Sequence, residues 1–139
     1  MSEFKKYIVH VYENYVEWRE PINNNLHREG DLPALEYSNG DKYWYINGVL
    51  HRDRDRPPIV LRTGEQRWQR GDILHRETGP ALILENGEGH YYLDNKRYAT
   101  RKEWLLELEK RKNKQLNNES NVLEIGGKKY KLVEVEDSE

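Results

Sequence analysis

Apolar and polar residues alternate along most of the chain in short stretches, each ended by residues that favour turns. Tyr7 to Tyr12, Tyr15 to Arg19, Ala34 to Tyr37, Lys42 to Ile46, Ile59 to Arg62, Gln66 to Gln69, Ala81 to Leu84 and His90 to Leu93 carry this pattern. Glu13-Asn14, Ser38-Asn39-Gly40-Asp41, Thr63-Gly64 and Asn86-Gly87 separate them in pairs. A period of two between turn signals predicts strands joined into hairpins. After Tyr98 the pattern changes. Thr100-Arg101-Lys102-Glu103 reads as a capping box, and Trp104, Leu105, Leu108 and Leu116 form one helical stripe over 100–116. Asn117 to Asn121 reads as a polar linker. Val122 to Ile125, Gly126-Gly127 and Lys128 to Val135 then make a last hairpin before a frayed acidic end.

The hairpins repeat. Leu26-His27-Arg28 returns as Leu50-His51-Arg52 and Leu74-His75-Arg76, 24 residues apart each time. Each tripeptide is followed by an acid (Glu29, Asp53, Glu77), a proline (Pro33, Pro57, Pro80), a turn glycine (Gly40, Gly64, Gly87) and an aromatic residue (Trp44, Trp68, Tyr91). A fixed period of this size means stacked units, each too small to bury an apolar face alone. The expected fold is mainly β: three to four hairpin repeats in one twisted sheet, each repeat one hairpin plus a connector, with a C-terminal capping helix and a final hairpin. The expected divisions are 1–99 for the repeats, with an N-terminal half repeat at 1–25, then 100–116 for the helix and 117–139 for the linker, hairpin and tail.

Composition sharpens this picture. Hydrophobic residues make up 35% of the chain and charged residues another 35%, with ten Tyr and four Trp against one Phe. The core must be thin and aromatic. The absence of cysteine excludes disulfides and thiol chemistry. No apolar run is long enough to span a bilayer, and the N-terminus lacks the apolar region of a signal peptide, so the expectation is a cytoplasmic protein without a membrane partner. Charge is uneven: Leu50 to Arg76 holds seven Arg against four acids, and Asn118 to Glu139 six acids against three Lys.

The series Leu-His-Arg, acid, spacer, Gly-Pro-Ala, strand, Asn-Gly, matched most fully by Leu74 to Ala81, resembles the Leu-His-Arg-x-x-Gly-Pro-Ala repeat of phage and large-virus proteins. These are similar in style to MORN and MORN-variant repeats. The resemblance covers about residues 15 to 100. It departs at Gly30-Asp31-Leu32-Pro33-Ala34, and at Arg54-Asp55-Arg56-Pro57-Pro58, which lacks both the Gly and the Ala. It implies a row of β-hairpins used for binding and supplies no catalytic residues. By analogy it implies a phage or mobile-element accessory protein, active in the bacterial host cytoplasm, that inhibits a host defence protein or nucleoprotein complex such as CRISPR–Cas.

His27, His51 and His75 recur in register, but equivalent residues two strands apart lie about 10 Å from one another, whereas zinc ligands each sit within about 2.1 Å of the metal. They are read as hydrogen-bonding groups of the connectors, with no metal and no cofactor expected. Arg28, Arg52 and Arg76 are expected to pair with Glu29, Asp53, Glu77 or acids of a neighbouring repeat. Arg52, Arg54, Arg56, Arg62, Arg67 and Arg70 around Trp68 compose an Arg/aromatic surface of the kind that grips single-stranded nucleic acid or forms interface hot spots. Asp53, Asp55 and a sequence pI of 6.2 weigh against nucleic acid. Trp18, Trp44, Trp68 and Tyr91 are read as the core-facing ladder, which turns Tyr43, Tyr45, Arg67 and Tyr92 to the opposite face as a candidate binding surface. No phosphate loop, nucleophile elbow or acid/base spacing is present, so the chain is not read as an enzyme.

Overall fold

The computed structural model describes residues 5–120 and 122–133. The chain divides into two compact units, the first ending at Arg101 and the second beginning at Lys102. The first is antiparallel β throughout. β1 (Ile8–Val11) and β2 (Tyr15–Arg19) form the N-terminal hairpin. The first full repeat contributes β3 (Leu35–Tyr37), β4 (Lys42–Tyr43), β5 (Tyr45–Ile46) and β6 (Val49–Leu50). The second contributes β7 (Ile59–Val60), β8 (Gln66–Arg67), β9 (Gln69–Arg70) and β10 (Ile73–Leu74). The third contributes β11 (Leu82–Ile83), β12 (Gly89–Leu93) and β13 (Lys96–Tyr98).

A nine-stranded sheet runs in the order β1-β2-β3-β4-β7-β8-β11-β12-β13. Hairpins β5–β6 and β9–β10 form separate two-stranded sheets beside it. The expectation of one hairpin per repeat is therefore corrected: each of the first two full repeats holds two. The division falls at the tryptophan. The Trp44 N–H donates to the carbonyl of Pro58 in the next repeat (2.8 Å), while its carbonyl accepts from His51 of its own second hairpin (3.0 Å). Trp68 stands likewise between Ala81 (2.8 Å) and His75 (3.0 Å). A strand whose amide serves one partner and whose carbonyl serves another cannot continue one ladder. Tyr91, in the equivalent place, has no repeat after it, and β12 runs through it unbroken to pair with both β11 and β13.

Side-chain alternation puts Glu17, Leu35, Tyr43, Ile59, Arg67, Leu82 and His90 in register across the main sheet. Ile59 is buried, whereas Tyr43 and Arg67 are half-exposed. Trp44 and Trp68 lie on the other face and are buried, at 8% exposure each, whereas Trp18 and Tyr91 of the expected ladder are half-buried. Ala34 and Ala81, fully buried, close the entries of β3 and β11.

In the second unit, α1 spans Arg101–Ser120, and β14 (Val122–Ile125) pairs with β15 (Lys128–Lys131). The helix runs four residues past the predicted end: Asn117 to Ser120, read as linker, continue it because no Gly or Pro intervenes. Trp104 is buried and Leu108 half-buried, while Leu105 and Leu116 are exposed. Asn121 and the predicted strand end at Glu134-Val135, with the acidic tail, lie outside the described residues. Among the described residues no helix is long and apolar enough to cross a membrane.

Candidate binding surfaces of the repeats

Each Leu-His-Arg arginine lies on a tryptophan. The guanidinium carbons of Arg28, Arg52 and Arg76 sit 3.8, 3.9 and 3.7 Å from the ring centroids of Trp18, Trp44 and Trp68. Each arginine also donates to the carbonyl of its connector proline: Pro33 (3.1 Å), Pro57 (3.2 Å) and Pro80 (3.0 Å). A stacked cation of this kind is worth ~0.5–2 kcal/mol, more as water is excluded.

For Arg52 and Arg76 the neutralising acid comes from the preceding repeat, the second of the two expected sources, and not from the adjacent position, while Arg28 lies 3.5 Å from Glu36 of its own repeat. Arg52 makes a forked contact with Asp31 (2.8 and 3.2 Å), and Arg76 with Asp55 (2.8 and 3.2 Å). The same aspartates accept the indole N–H at their carbonyls, Trp44 on Asp31 (3.1 Å) and Trp68 on Asp55 (3.0 Å). Asp, Trp and Arg thus close one clasp across each junction. The arginine hydrogen bonds hold both carboxyls below the usual carboxylate range, against a smaller opposing effect of burial. Asp31 and Asp55 stand 24 residues apart and carried the repeat signal that would have found them. The adjacent acids Glu29, Asp53 and Glu77 instead approach the histidines, at 3.5, 2.7 and 3.4 Å.

A second link joins the small hairpins. Asn47 donates its backbone N–H to His27 Nδ1 (3.0 Å) and Gly48 to the Leu26 carbonyl (2.8 Å). Asp94 donates to His75 Nδ1 (3.0 Å) and Asn95 to the Leu74 carbonyl (2.8 Å). Between these two junctions the link is missing among the described residues. The turn there is Gly71-Asp72, in which Gly71 alone has positive φ, whereas both Asn47 and Gly48, and both Asp94 and Asn95, have it. That is the difference between a II′ and a I′ turn, and it turns the amides away. The His51 side chain is 53% exposed, against 9% for His27 and 12% for His75.

The predicted Arg/aromatic surface is mostly used up inside the fold. Arg52 is clasped. Arg56 reaches Asp31, Arg67 pairs with Glu65 (2.6 Å), and Arg70 with Asp94 (3.2 Å). Trp68 is core. Among the described residues Arg54 and Arg62 make no side-chain hydrogen bond or ion pair.

Two clefts flank β4 and β5. One of about 420 Å³ lies on the Trp44 and Ile46 side, where Arg28, Asp31, His51 and Arg54 also line it. The other, also about 420 Å³, lies on the Tyr43 and Tyr45 side with Ile59 and Asp72. On that second face a row of rings continues from Tyr43 to Tyr37, Tyr15 and Tyr12, with centroids 5.7, 5.6 and 4.4 Å apart. Tyr92 is half-buried in β12, two repeats from Tyr45, and is not part of this row. Burial raises the hydroxyl pKa values of Tyr43 and Tyr45. No group of three or more His, Asp or Glu that could hold a metal occurs among the described residues. Comparison with family models, with curated proteins and with solved structures finds no match to this chain.

Proposed function

We propose that the chain is a non-catalytic binding protein whose middle connector, 53–57, engages an anionic group on a partner protein through Arg54. The observation that carries this reading is the conformation of Arg54. It has φ +61° and is followed by Asp55 at +53°. In the first connector the same two places are Gly30 at +74° and Asp31 at +56°. A left-handed backbone costs a residue with a Cβ about 1–2 kcal/mol, a cost glycine escapes and aspartate partly offsets. Arg54 bears that cost at the rim of a cleft without a side-chain hydrogen bond or ion pair, its charge adding only the weakest of the arginine effects on Asp31. Such strain is retained where the side chain is needed for something other than the fold.

A protein partner is favoured over nucleic acid because tracking a phosphate backbone takes several uncompensated cations. Arg52, Arg56, Arg67, Arg70 and Arg76 are already paired with carboxylates. Occlusion of a host defence protein or nucleoprotein complex is the form of binding that the repeat resemblance suggests.

The test is affinity capture from bacterial lysate, with and without nuclease, comparing the wild type with Arg54→Gly. The expected result is a nuclease-resistant partner held by the wild type and lost by a variant that is folded and more stable. Retention of that partner by the folded variant overturns the role of Arg54, and loss of the partner on nuclease treatment moves the assignment to nucleic acid.

A further inference from the structure

The one junction that lacks the second link also carries an open groove. We propose that this groove, between hairpins β5–β6 and β9–β10, is a binding site for a positively charged side chain, lysine or arginine, presented by a partner protein. It stands apart from the proposal for Arg54, since alternation along β4 and β5 places it on the opposite side of the chain from the Arg54 cleft.

The groove is lined by Tyr43, Tyr45, Leu50, Ile59, Gln69 and Asp72. Ile59, 4% exposed, closes the floor, and the exposed Val49 with half-buried Leu50 supplies apolar surface for the methylenes of a long side chain. Tyr43 and Tyr45 supply aromatic faces, which attract a cation through the ring quadrupole. Asp72 supplies the charge. It occupies the turn place held by Gly48 and Asn95 elsewhere, so the substitution that breaks the link also introduces the carboxylate.

Charge around the groove is left unbalanced toward the negative. Asp72 has no hydrogen bond or ion pair among the described residues. Asp41, on the strand entry beside Tyr43, accepts from the Arg62 backbone N–H (2.7 Å) and from Asn39 (3.0 Å) but meets no cation. The cation in the same cross-strand row, Arg67, pairs with Glu65 at 2.6 Å, and at the Tyr43 hydroxyl its charge is outweighed by that of Asp41. The charge of Asp72 is felt at the Tyr45 hydroxyl, which it pushes in the same direction as burial does. An apolar floor, aromatic walls and an unmatched carboxylate at the rim are together complementary to an alkyl-ammonium or alkyl-guanidinium group, and to neither an anion nor a purely apolar ligand.

The experiment is an NMR titration of the full chain with N-acetylarginine methylamide, with N-acetyllysine methylamide, and with the neutral isostere N-acetylcitrulline methylamide. It reads the ring resonances of Tyr43 and Tyr45 and the amides of Gly71 and Asp72. Saturable shifts are expected with the two cations and not with citrulline. In Asp72→Asn, an exposed change that leaves the fold intact, affinity for the cations should fall about tenfold, the scale of one charge-assisted contact. Equal shifts with the neutral isostere, an unaltered titration in Asp72→Asn, or no shift at these residues with either cation would each overturn the proposal. The Arg54→Gly variant should titrate like the wild type, so this site and the Arg54 contact fail or stand separately.

Discussion

The connectors at 29–33 and 53–57 place an aspartate in the same left-handed conformation under equivalent tryptophans, Trp44 and Trp68, yet they differ in what precedes it and in what else it holds. The first begins its turn with Gly30 and is tied down on several sides. Glu29 donates its N–H to the Tyr7 hydroxyl (3.2 Å) and pairs with Lys5, and Asp31 takes both Arg52 and Arg56. The second puts Arg54 where glycine would be unstrained, and its Asp55 takes Arg76 and Thr78. The contrast separates what a repeat needs from what one copy carries in addition. The Asp-Trp-Arg clasp is common to both and holds the array together. The free arginine, the exposed His51 and the II′ turn with Asp72 are confined to the middle repeat, where function is most economically sought.

The largest expected effect comes from removing the common part. Trp44→Ala and Trp68→Ala each delete a buried ring and the platform for an arginine, and should each destabilise the fold by ~3–5 kcal/mol, enough to unfold a small domain. Urea denaturation followed by circular dichroism would show it. For that reason an alteration at Trp68 reports on folding and cannot serve as a test of binding.

Next comes the acid of the clasp. Asp31→Ala should cost ~1–3 kcal/mol, and Asp55→Ala less, because Asp55 is the more exposed and solvent already screens its pair. Both carboxyls have folded pKa values below the ordinary one. Their contribution is therefore complete above about pH 4 and is lost as pH falls through the depressed folded values. Thermal melts from neutral pH downward should show a loss of stability in acid that is smaller in the Asp31→Ala variant.

A smaller effect, opposite in sign at the two connectors, is the sharpest check on the comparison. Arg54→Gly should raise stability by ~0.5–1 kcal/mol and Gly30→Arg should lower it by a similar amount. No atom lies within 4 Å of a Cβ built at Gly30, so the cost there is conformational rather than steric. A melting temperature unchanged in both variants would refute the strain assigned to Arg54.

An effect of the same size concerns the missing link. Converting Gly71-Asp72 to the Asn-Gly of the first repeat should restore a I′ turn and two cross-repeat hydrogen bonds, a gain of ~0.5–1 kcal/mol. Hydrogen exchange at residue 71 should slow in the double variant, and faster or unchanged exchange would mean that the turn is not what frees His51.

Much of this architecture was legible in the residues themselves. Alternation around Trp44 assigned Tyr43 and Tyr45 to the opposite side, and the alternating stretches within each 24-residue period marked the hairpins of the main sheet. The break at each tryptophan was not legible, because it is imposed by a hydrogen bond to Pro58 or Ala81 in the following repeat and not by any local propensity. The acid partners were legible in part: a neighbouring repeat was one of their two expected sources, but the choice between the two was not. Asp53 and Glu77 stand nearest to Arg52 and Arg76 in sequence, but the fold carries the guanidinium over the indole to the aspartate of the repeat before. The six arginines of the middle repeat looked like one surface when counted along the chain. Partners from other repeats, and Glu65 beside Arg67, leave only Arg54 and Arg62 of the six without an ion pair.

The bonds that join one repeat to the next stay within about one repeat length of chain, from 13 residues for Trp68 to Ala81, through 20 for Asn47 to His27 and 21 for Arg52 to Asp31, to 25 for Arg56 to Asp31. Loop-closure entropy is thus set by the repeat and not by the length of the array. A chain lengthened by further copies would add interfaces, and with them stability, while each new copy closed loops no longer than those already present. Sheets commonly fold more slowly as their strands come from more distant parts of the sequence. This one is wired so that its contact order does not grow with its size.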